Sequence, residues 1–329
     1  MSATSGLLTF FSYARMDMWD SSAKRRIKMK RRKTLKELTI KNNFMFGAVM
    51  SDESNCKEFL EMVLQIPIER IEISKEKSIV YHPLYKGVRL DVYARDENQT
   101  HYDVEMQAAI RPAIGKRARY YHSQIDMELL ASGEEYEKLP DSYVIFVCDF
   151  DPFGKKKYCY TFANQCLEDL SLNQQDGRKT IFLSTHGENE NDVPQSMVKF
   201  LKYVKADLTE SEQDFGDAYV RKLQKSIRQV KESREMEDRF MLFEELLKEE
   251  RAEARAEGRA EGRAEGRTEG RVQALLDILE ELGDVSTELQ EMIKAEIDEE
   301  KLKIWLKMAV RAESIEEISK IIKDCEKAI

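Results

Sequence analysis

Asp91, Glu105 and Gln107 are the residues whose types and spacing fit chemistry. They flank a polar break, Asp96-Glu97-Asn98-Gln99-Thr100. Before it, Val88, Leu90, Val92 and Ala94 alternate with Arg89, Asp91, Tyr93 and Arg95; after it, Tyr102, Val104, Met106 and Ala108 alternate with Asp103, Glu105 and Gln107. Period-two alternation on both sides of a turn predicts a β-hairpin. With the turn centred on Asn98, position 91 opposes position 105, and Gln107 shares their polar face. Opposed side chains stand about 5 Å apart at Cβ, so two carboxylates placed there repel unless something offsets them. A divalent cation would do so, and oxygen-only donors suit Mg²⁺. Two solvated acids on an exposed sheet face fit the same spacing, and spacing alone leaves both readings open.

The elements that must position this hairpin lie on either side of it. Residues 34–67 read as helical, with Phe46, Val49 and Met50, then Phe59, Leu60, Val63 and Leu64, recurring at spacings of three and four. Ser51 to Ser54 reads as a break between two helices. Residues 112–132 predict a helix opening at Pro112 and stopping at Gly133, with Ile114, Ala118, Tyr121, Ile125 and Leu129 as its apolar stripe. Residues 142–150 form an apolar run expected to be a buried strand. Tyr158 to Phe162 and Thr180 to Ser184 predict two more strands, and 194–249 returns to a helical pattern.

Four segments are expected along the chain: a basic leader over 1–33, a catalytic-type domain over 34–249, a spacer over 250–271 and a small helical module over 272–329. Lys24 to Lys33 holds eight basic residues in ten. This leader reads either as a nucleic-acid-binding arm or as translated upstream sequence with the start at Met29, and the second is preferred because helical patterning begins only at Thr34. In the spacer Arg-Ala-Glu-Gly repeats, and a four-residue period drifts about 40° per repeat on a helix, so no fixed face forms. Gly258, Gly262, Gly266 and Gly270 each cost about 1 kcal/mol there relative to Ala, which predicts a marginal helix without chemistry of its own.

Composition bounds the function. The net charge of −9 argues against strong non-specific DNA binding. Five cysteines without Cys-x-x-Cys spacing argue against a disulfide framework or zinc site and fit a reducing cytoplasm. The four histidines are scattered, and no run of about 18 apolar residues predicts a membrane span.

The order Asp91, then Glu105-Met106-Gln107, resembles the D…(D/E)-x-K signature of PD-(D/E)XK nucleases, with Gln in the Lys position. ELTIKNNFMFG (37–47), GVRLDVYARDE (87–97), YDVEMQ (102–107) and KRARYYHSQID (116–126) resemble the recombination-promoting nuclease and transposase family of bacteria. The bare motif is weakly specific; the four segments in order are strongly so. The resemblance implies an α/β fold: a restriction-endonuclease-like mixed sheet flanked by helices in the order α-β-β-β-α-β, here followed by an all-helical tail. It implies that Asp91 and Glu105 bind Mg²⁺, with Mn²⁺ able to substitute, and that the Met106 carbonyl is a further ligand. An acid of the first long helix, such as Glu58, is a candidate to complete the site. Gln107 cannot supply the charge of a Lys, although it can orient water and a phosphate oxygen.

The helix after the hairpin borders the active site in such folds. Arg117, Arg119 and Gln124 are accordingly the expected DNA contacts, with Arg117 alternatively a structural partner of the acids. Lys155, Lys156 and Lys157 read as a solvated turn in preference to a DNA track. The resemblance implies a Mg²⁺-dependent DNA endonuclease associated with recombination or mobile elements. The alternatives are a weak or inactive nuclease fold serving as a DNA-binding or regulatory module, and a protein adaptor working through its tail. Strand transfer is disfavoured, because the RNase H-like transposases need a third carboxylate on a later helix. Homo-oligomers through the C-terminal helices are a further expectation.

Overall fold

The structure is a computed structural model that describes residues 33–74, 78–79 and 88–327. All but the last residue of the expected leader lies outside the described residues. The order of elements is α1 (Asn43–Met50), α2 (Glu53–Leu64), β1 (Ile71–Ser74), β2 (Ser78–Ile79), β3 (Val88–Arg89), β4 (Val92–Asp96), β5 (His101–Gln107), α3 (Ile114–Leu129), β6 (Ser142–Cys148), β7 (Cys159–Phe162), β8 (Arg178–Ser184), α4 (Gln195–Lys205), α5 (Ala218–Glu232), α6 (Arg234–Leu282), α7 (Thr287–Ala295), α8 (Glu299–Ala309) and α9 (Ile315–Lys327). Among the described residues, six strands form one mixed sheet in the order β1-β4-β5-β6-β8-β7. The β5-β6-β8 core is parallel and the remaining pairs are antiparallel. The run α2-β1-β4-β5-α3-β6 is the α-β-β-β-α-β order that the resemblance implies.

The hairpin forms because Asp96 organises its turn. Its Oδ1 accepts from the backbone N–H of Asn98 and Thr100, and its Oδ2 from the Tyr102 hydroxyl. The side chain thus stands in for the missing ladder bonds of the turn. Val92 pairs with Val104 and Tyr93 with Asp103, the register of a turn centred on position 98.

Two departures from the sequence reading matter for the site. The expected strand through Leu90 and Asp91 is interrupted: β3 pairs with β2, and the ladder to β5 starts at Val92. Leu90 consequently joins Tyr93 in one apolar cluster, although strict alternation puts them on opposite faces. Second, the polar face of β5 is not solvated. Asp103, Glu105 and Gln107 are all buried, because α3 lies across them while α1, α2, α4 and α5 supply the other layer. A sheet covered on both faces carries near-continuous apolar strands, and β6 is buried along its whole length.

Capping marks the expected break between the first two helices. Asn42 caps α1 by accepting from Phe44 and Met45 N–H, and Asp52 caps α2 by accepting from Asn55 N–H. Phe59, Phe200 and Tyr219 then join α2, α4 and α5 through ring contacts of 5.4 and 6.0 Å. On the opposite face Ala118, Tyr121 and Ile125 of α3 pack on Val144, Phe146 and Phe182.

The chain divides into two compact units after Phe240. The second has its own core, built from Leu275, Leu279, Leu289, Ile293, Leu302, Trp305 and Ile318 among others. The Arg-Ala-Glu-Gly repeat is helical throughout, inside α6. Its four glycines have open space where a Cβ would stand, so close packing does not require them. No helix among the described residues is long and apolar enough to cross a membrane.

Candidate active site

The break before β4 leaves Asp91 half-buried just ahead of that strand, where its backbone N–H meets the Glu105 carboxylate at 3.0 Å (Oε1). Asp91 Oδ2 accepts in turn from the backbone N–H of Met106 at 3.0 Å. The two carboxylates are therefore cross-stitched: each takes a main-chain donor from the other's strand segment. Asn43, the first residue of α1, completes the frame. Its Nδ2 donates to Asp91 Oδ2 at 3.1 Å and to the Met106 carbonyl at 3.2 Å. One amide thus fixes both the carboxylate and the carbonyl that the sequence singles out.

Arg117 enters from the first turns of α3. Nη2 lies 2.8 Å from Glu105 Oε2, Nη1 donates to Gln107 Oε1 at 2.9 Å, and Nε donates to the Tyr121 hydroxyl at 2.8 Å. Its side chain is 27% exposed against 1% for Glu105. The ring of Tyr121 lies 4.9 Å below the guanidinium, a cation–π contact that holds its plane. The Gln107 Nε2 donates to the Met106 carbonyl at 3.1 Å. Both ends of the Gln107 amide are thus engaged by protein groups, where the sequence suggests water and phosphate.

Asp103 is the residue that the motif does not single out. It lies on the same face of β5, fully buried, and neither carboxylate oxygen has a hydrogen-bond partner. Its carboxyl faces that of Glu105, with Asp91 and Arg117 the next charges. Two carboxylates cannot hydrogen-bond to each other unless one carries a proton. Burial, then the charges of Glu105 and Asp91, push the Asp103 carboxyl well above its usual range. Burial and the Asp91 charge push Glu105 up to about 8, against the pull of Arg117. Burial draws the Arg117 guanidinium down, but Glu105, Tyr121 and Asp91 outweigh it and the net shift is upward.

The other expected site residues fall as follows. Arg119 is exposed, two residues and so about 200° around α3 from Arg117. Gln124 is 6% exposed beneath the helix, which corrects the expectation that it reaches DNA: it has no surface to present to a phosphate. Glu58 is engaged elsewhere, 2.7 Å from Lys222, and Asn43 is what the first helix brings to the site instead. Lys156 and Lys157 pair with Glu188 and Asp192. His101 holds the Tyr93 hydroxyl at 2.6 Å.

The donor set suits a hard cation. Asp91, Glu105 and the Met106 carbonyl offer only oxygen, and three carboxyl groups stand against one guanidinium with both oxygens of Asp103 orphaned. Among the described residues no three His, Cys, Asp or Glu side chains converge as a metal cluster, so the candidate centre is two carboxylates and a carbonyl. Sequence reasoning misses Asn43 because its partners lie 48 and 63 residues away; a side-chain amide at a helix start gives no local sign of them. Asp103 does carry a signal, its alternation with Glu105 and Gln107.

A family model described as PD-(D/E)XK nuclease family transposase matches residues 40–256. No curated protein and no solved structure matches the chain.

Proposed function

Since the chain belongs to the PD-(D/E)XK nuclease family transposases, we propose that it is a DNA endonuclease that hydrolyses phosphodiester bonds with the help of Mg²⁺, or Mn²⁺ in its place, in recombination or mobile-element processes. The observation that carries this reading is the frame of Asp91, Glu105 and the Met106 carbonyl, stitched together by Asn43 and by two main-chain donors. Asp91, Glu105 and Met106 would hold the cation. When bound, it would acidify a water and stabilise charge growing on the phosphoryl oxygens.

The protein's own groups have separable tasks. Asn43 orients Asp91 and the carbonyl. Arg117 orients Glu105 and supplies the positive charge that a Lys at position 107 would otherwise bring. A neutral Gln107 is matched to that arrangement: its Oε1 accepts from the guanidinium, which an ammonium would repel. The partly exposed edge of Arg117 and the exposed Arg119 are the proposed contacts to the DNA backbone. Residues 250–271 act as a spacer, and the helices beyond it provide self-association, which would let two active sites cut both strands. The expected compartment is the cytoplasm, where DNA is reached directly.

Plasmid nicking in Mg²⁺ or Mn²⁺, beside an EDTA control and Asp91→Ala, tests the proposal. Cutting by wild type, abolished by EDTA and reduced at least about a thousandfold by the substitution, is the expected result. Equal trace activity in wild type and Asp91→Ala would sink it. It would leave the second reading, a DNA-binding or regulatory module, which the net charge of −9 and the Gln at position 107 favour.

A further inference from the structure

The chain changes character sharply where β5 ends. Residues 101–107 are buried without exception, whereas 108–113 (Ala-Ala-Ile-Arg-Pro-Ala) are all exposed before α3 begins. This connection leaves from Gln107 and returns to Arg117, so both of its ends are held in the candidate site. Its path is stiff. The Gln107 carbonyl accepts from the Asp149 N–H at 2.9 Å, and the Ala113 carbonyl accepts from the Arg117 N–H at 3.0 Å. Pro112 has a fixed φ and disfavours helical backbone at Arg111. Ala113 stands at φ 58°, in the left-handed region that a residue with a Cβ seldom adopts unless its surroundings impose it.

The side chains that this connection presents form a pattern. Ile110 is 77% exposed. An exposed isoleucine by itself means little; its neighbours give it meaning. Arg111 follows it, and Lys116 and Arg119, three residues apart, share one flank of α3. Among the described residues none of these three cations forms an ion pair. Arg117 beneath them is paired with Glu105, and Lys156 and Lys157 with Glu188 and Asp192. In a chain of net charge −9, unneutralised cations around an apolar side chain, beside the frame of Asp91 and Glu105, fit a partner that offers both anions and apolar surface. A DNA duplex does so, with its phosphates and its base stack. We propose that Ile110 is a wedge that inserts between base pairs beside the bond that is cut, while Arg111 and Lys116, with Arg119, grip the phosphates. The inference rests on the reading of the site as a DNA endonuclease. Unstacking one base step kinks a duplex, which would turn the backbone at that step toward Asp91, Glu105 and the Met106 carbonyl. The phosphate contacts supply affinity and orientation without reading sequence.

The full-length chain would be titrated onto short duplexes carrying 2-aminopurine at successive positions, with Ca²⁺ in place of Mg²⁺ to hold cleavage back. The base brightens when unstacked, and anisotropy at several salt concentrations reads affinity. Wild type should raise the fluorescence. Ile110→Ser should lose most of that rise and keep the salt slope, whereas Ile110→Met, which retains the apolar bulk, should keep both. Arg111→Gln and Lys116→Gln should each weaken binding and reduce the slope of log affinity against log salt by about 0.9. Bound wild type without a rise, an equal rise in Ile110→Ser, or unchanged slopes in both cation variants would overturn the inference, and nicking by wild type would leave the endonuclease reading standing. Neither binding nor nicking by folded wild type would overturn both. A lower melting temperature for Ile110→Ser would make the side chain a packing element, and loss of self-association in that variant would make it a contact between copies; either would also overturn the wedge.

Discussion

Two buried polar groups meet opposite faces of the same problem under α3. His122, on the helix, is 1% exposed, and its ring nitrogens reach the Ser142 hydroxyl at 2.9 Å and the Thr180 hydroxyl at 3.1 Å. Both hydroxyls come from the starts of the parallel strands β6 and β8, so the ring ties the helix to the sheet and both its nitrogens have a partner. Asp103, on β5, is as deeply buried and has none. A satisfied neutral group rigidifies a core; a carboxyl buried without a donor, and pushed well above its ordinary range, destabilises it. The contrast separates what the domain uses to stay folded from what it keeps at the expense of stability. The second kind of residue lies where the two motif acids and their arginine converge.

The largest expected effect comes from removing the guanidinium that faces the acidic region. Arg117→Met leaves Glu105, Asp91 and Asp103 facing one another without a guanidinium. Breaking a buried pair from one side costs about 3–5 kcal/mol, and urea unfolding in EDTA should show a loss of that size. In an Asp91→Asn background the loss should shrink by at least about 1 kcal/mol, because a charge that attracts the guanidinium is already gone. Equal losses in both backgrounds would show that Arg117 and Asp91 do not sense each other.

The His122 side of the comparison is tested by pH. Burial, then the nearby Arg178, push the imidazole down to about 4, from an ordinary value near 6.5. Between these values the unfolded chain takes up a proton that the fold refuses. His122 therefore contributes stability that is fully present above about pH 6.5 and is lost as pH falls through about 4, on the order of 3 kcal/mol. Wild type and His122→Gln, unfolded in urea across that window, should differ in slope, with the steeper decline toward acid in wild type. Parallel slopes would mean that the ring is charged or solvated in the fold.

Much of this arrangement is legible in the sequence, for reasons that are local. The hairpin register follows from alternation around Asp96 to Thr100; the ladder itself starts at Val92, and Asp91 meets Glu105 through its backbone N–H. The break between α1 and α2 follows from Asp52, a capping residue. What the sequence leaves unread depends on layers. Alternation sorts Asp103, Glu105 and Gln107 onto one face but does not say that α3 covers it, so their burial is invisible to it. Gln124 reads as a DNA contact for the same reason: heptad spacing aligns it with Arg117 but does not tell flank from underside. Asn43 reaches Asp91 from another helix, and Glu58, on the longer helix where an extra acid is expected, turns to Lys222 instead.

The smallest effect is the one that most directly opposes the two regions. Ser142→Ala removes one hydroxyl from His122 and leaves a buried ring nitrogen without a partner. Ser142 is itself buried, and its backbone N–H is bonded to the Gly177 carbonyl irrespective of the side chain, so the strand start is held in the variant. The expected cost is about 1–2 kcal/mol, the penalty for an orphaned neutral polar atom. Asp103→Asn, in EDTA, should move stability the other way. Losing a polar atom from a satisfied network weakens the fold, and replacing a carboxyl that burial holds far above its ordinary range strengthens it. Chemical denaturation of the two variants side by side reads both signs. If Ser142→Ala proved neutral, His122 would have found another acceptor or donor, and the ring would not be the fixed tie between α3 and the sheet that its two hydroxyl partners make it.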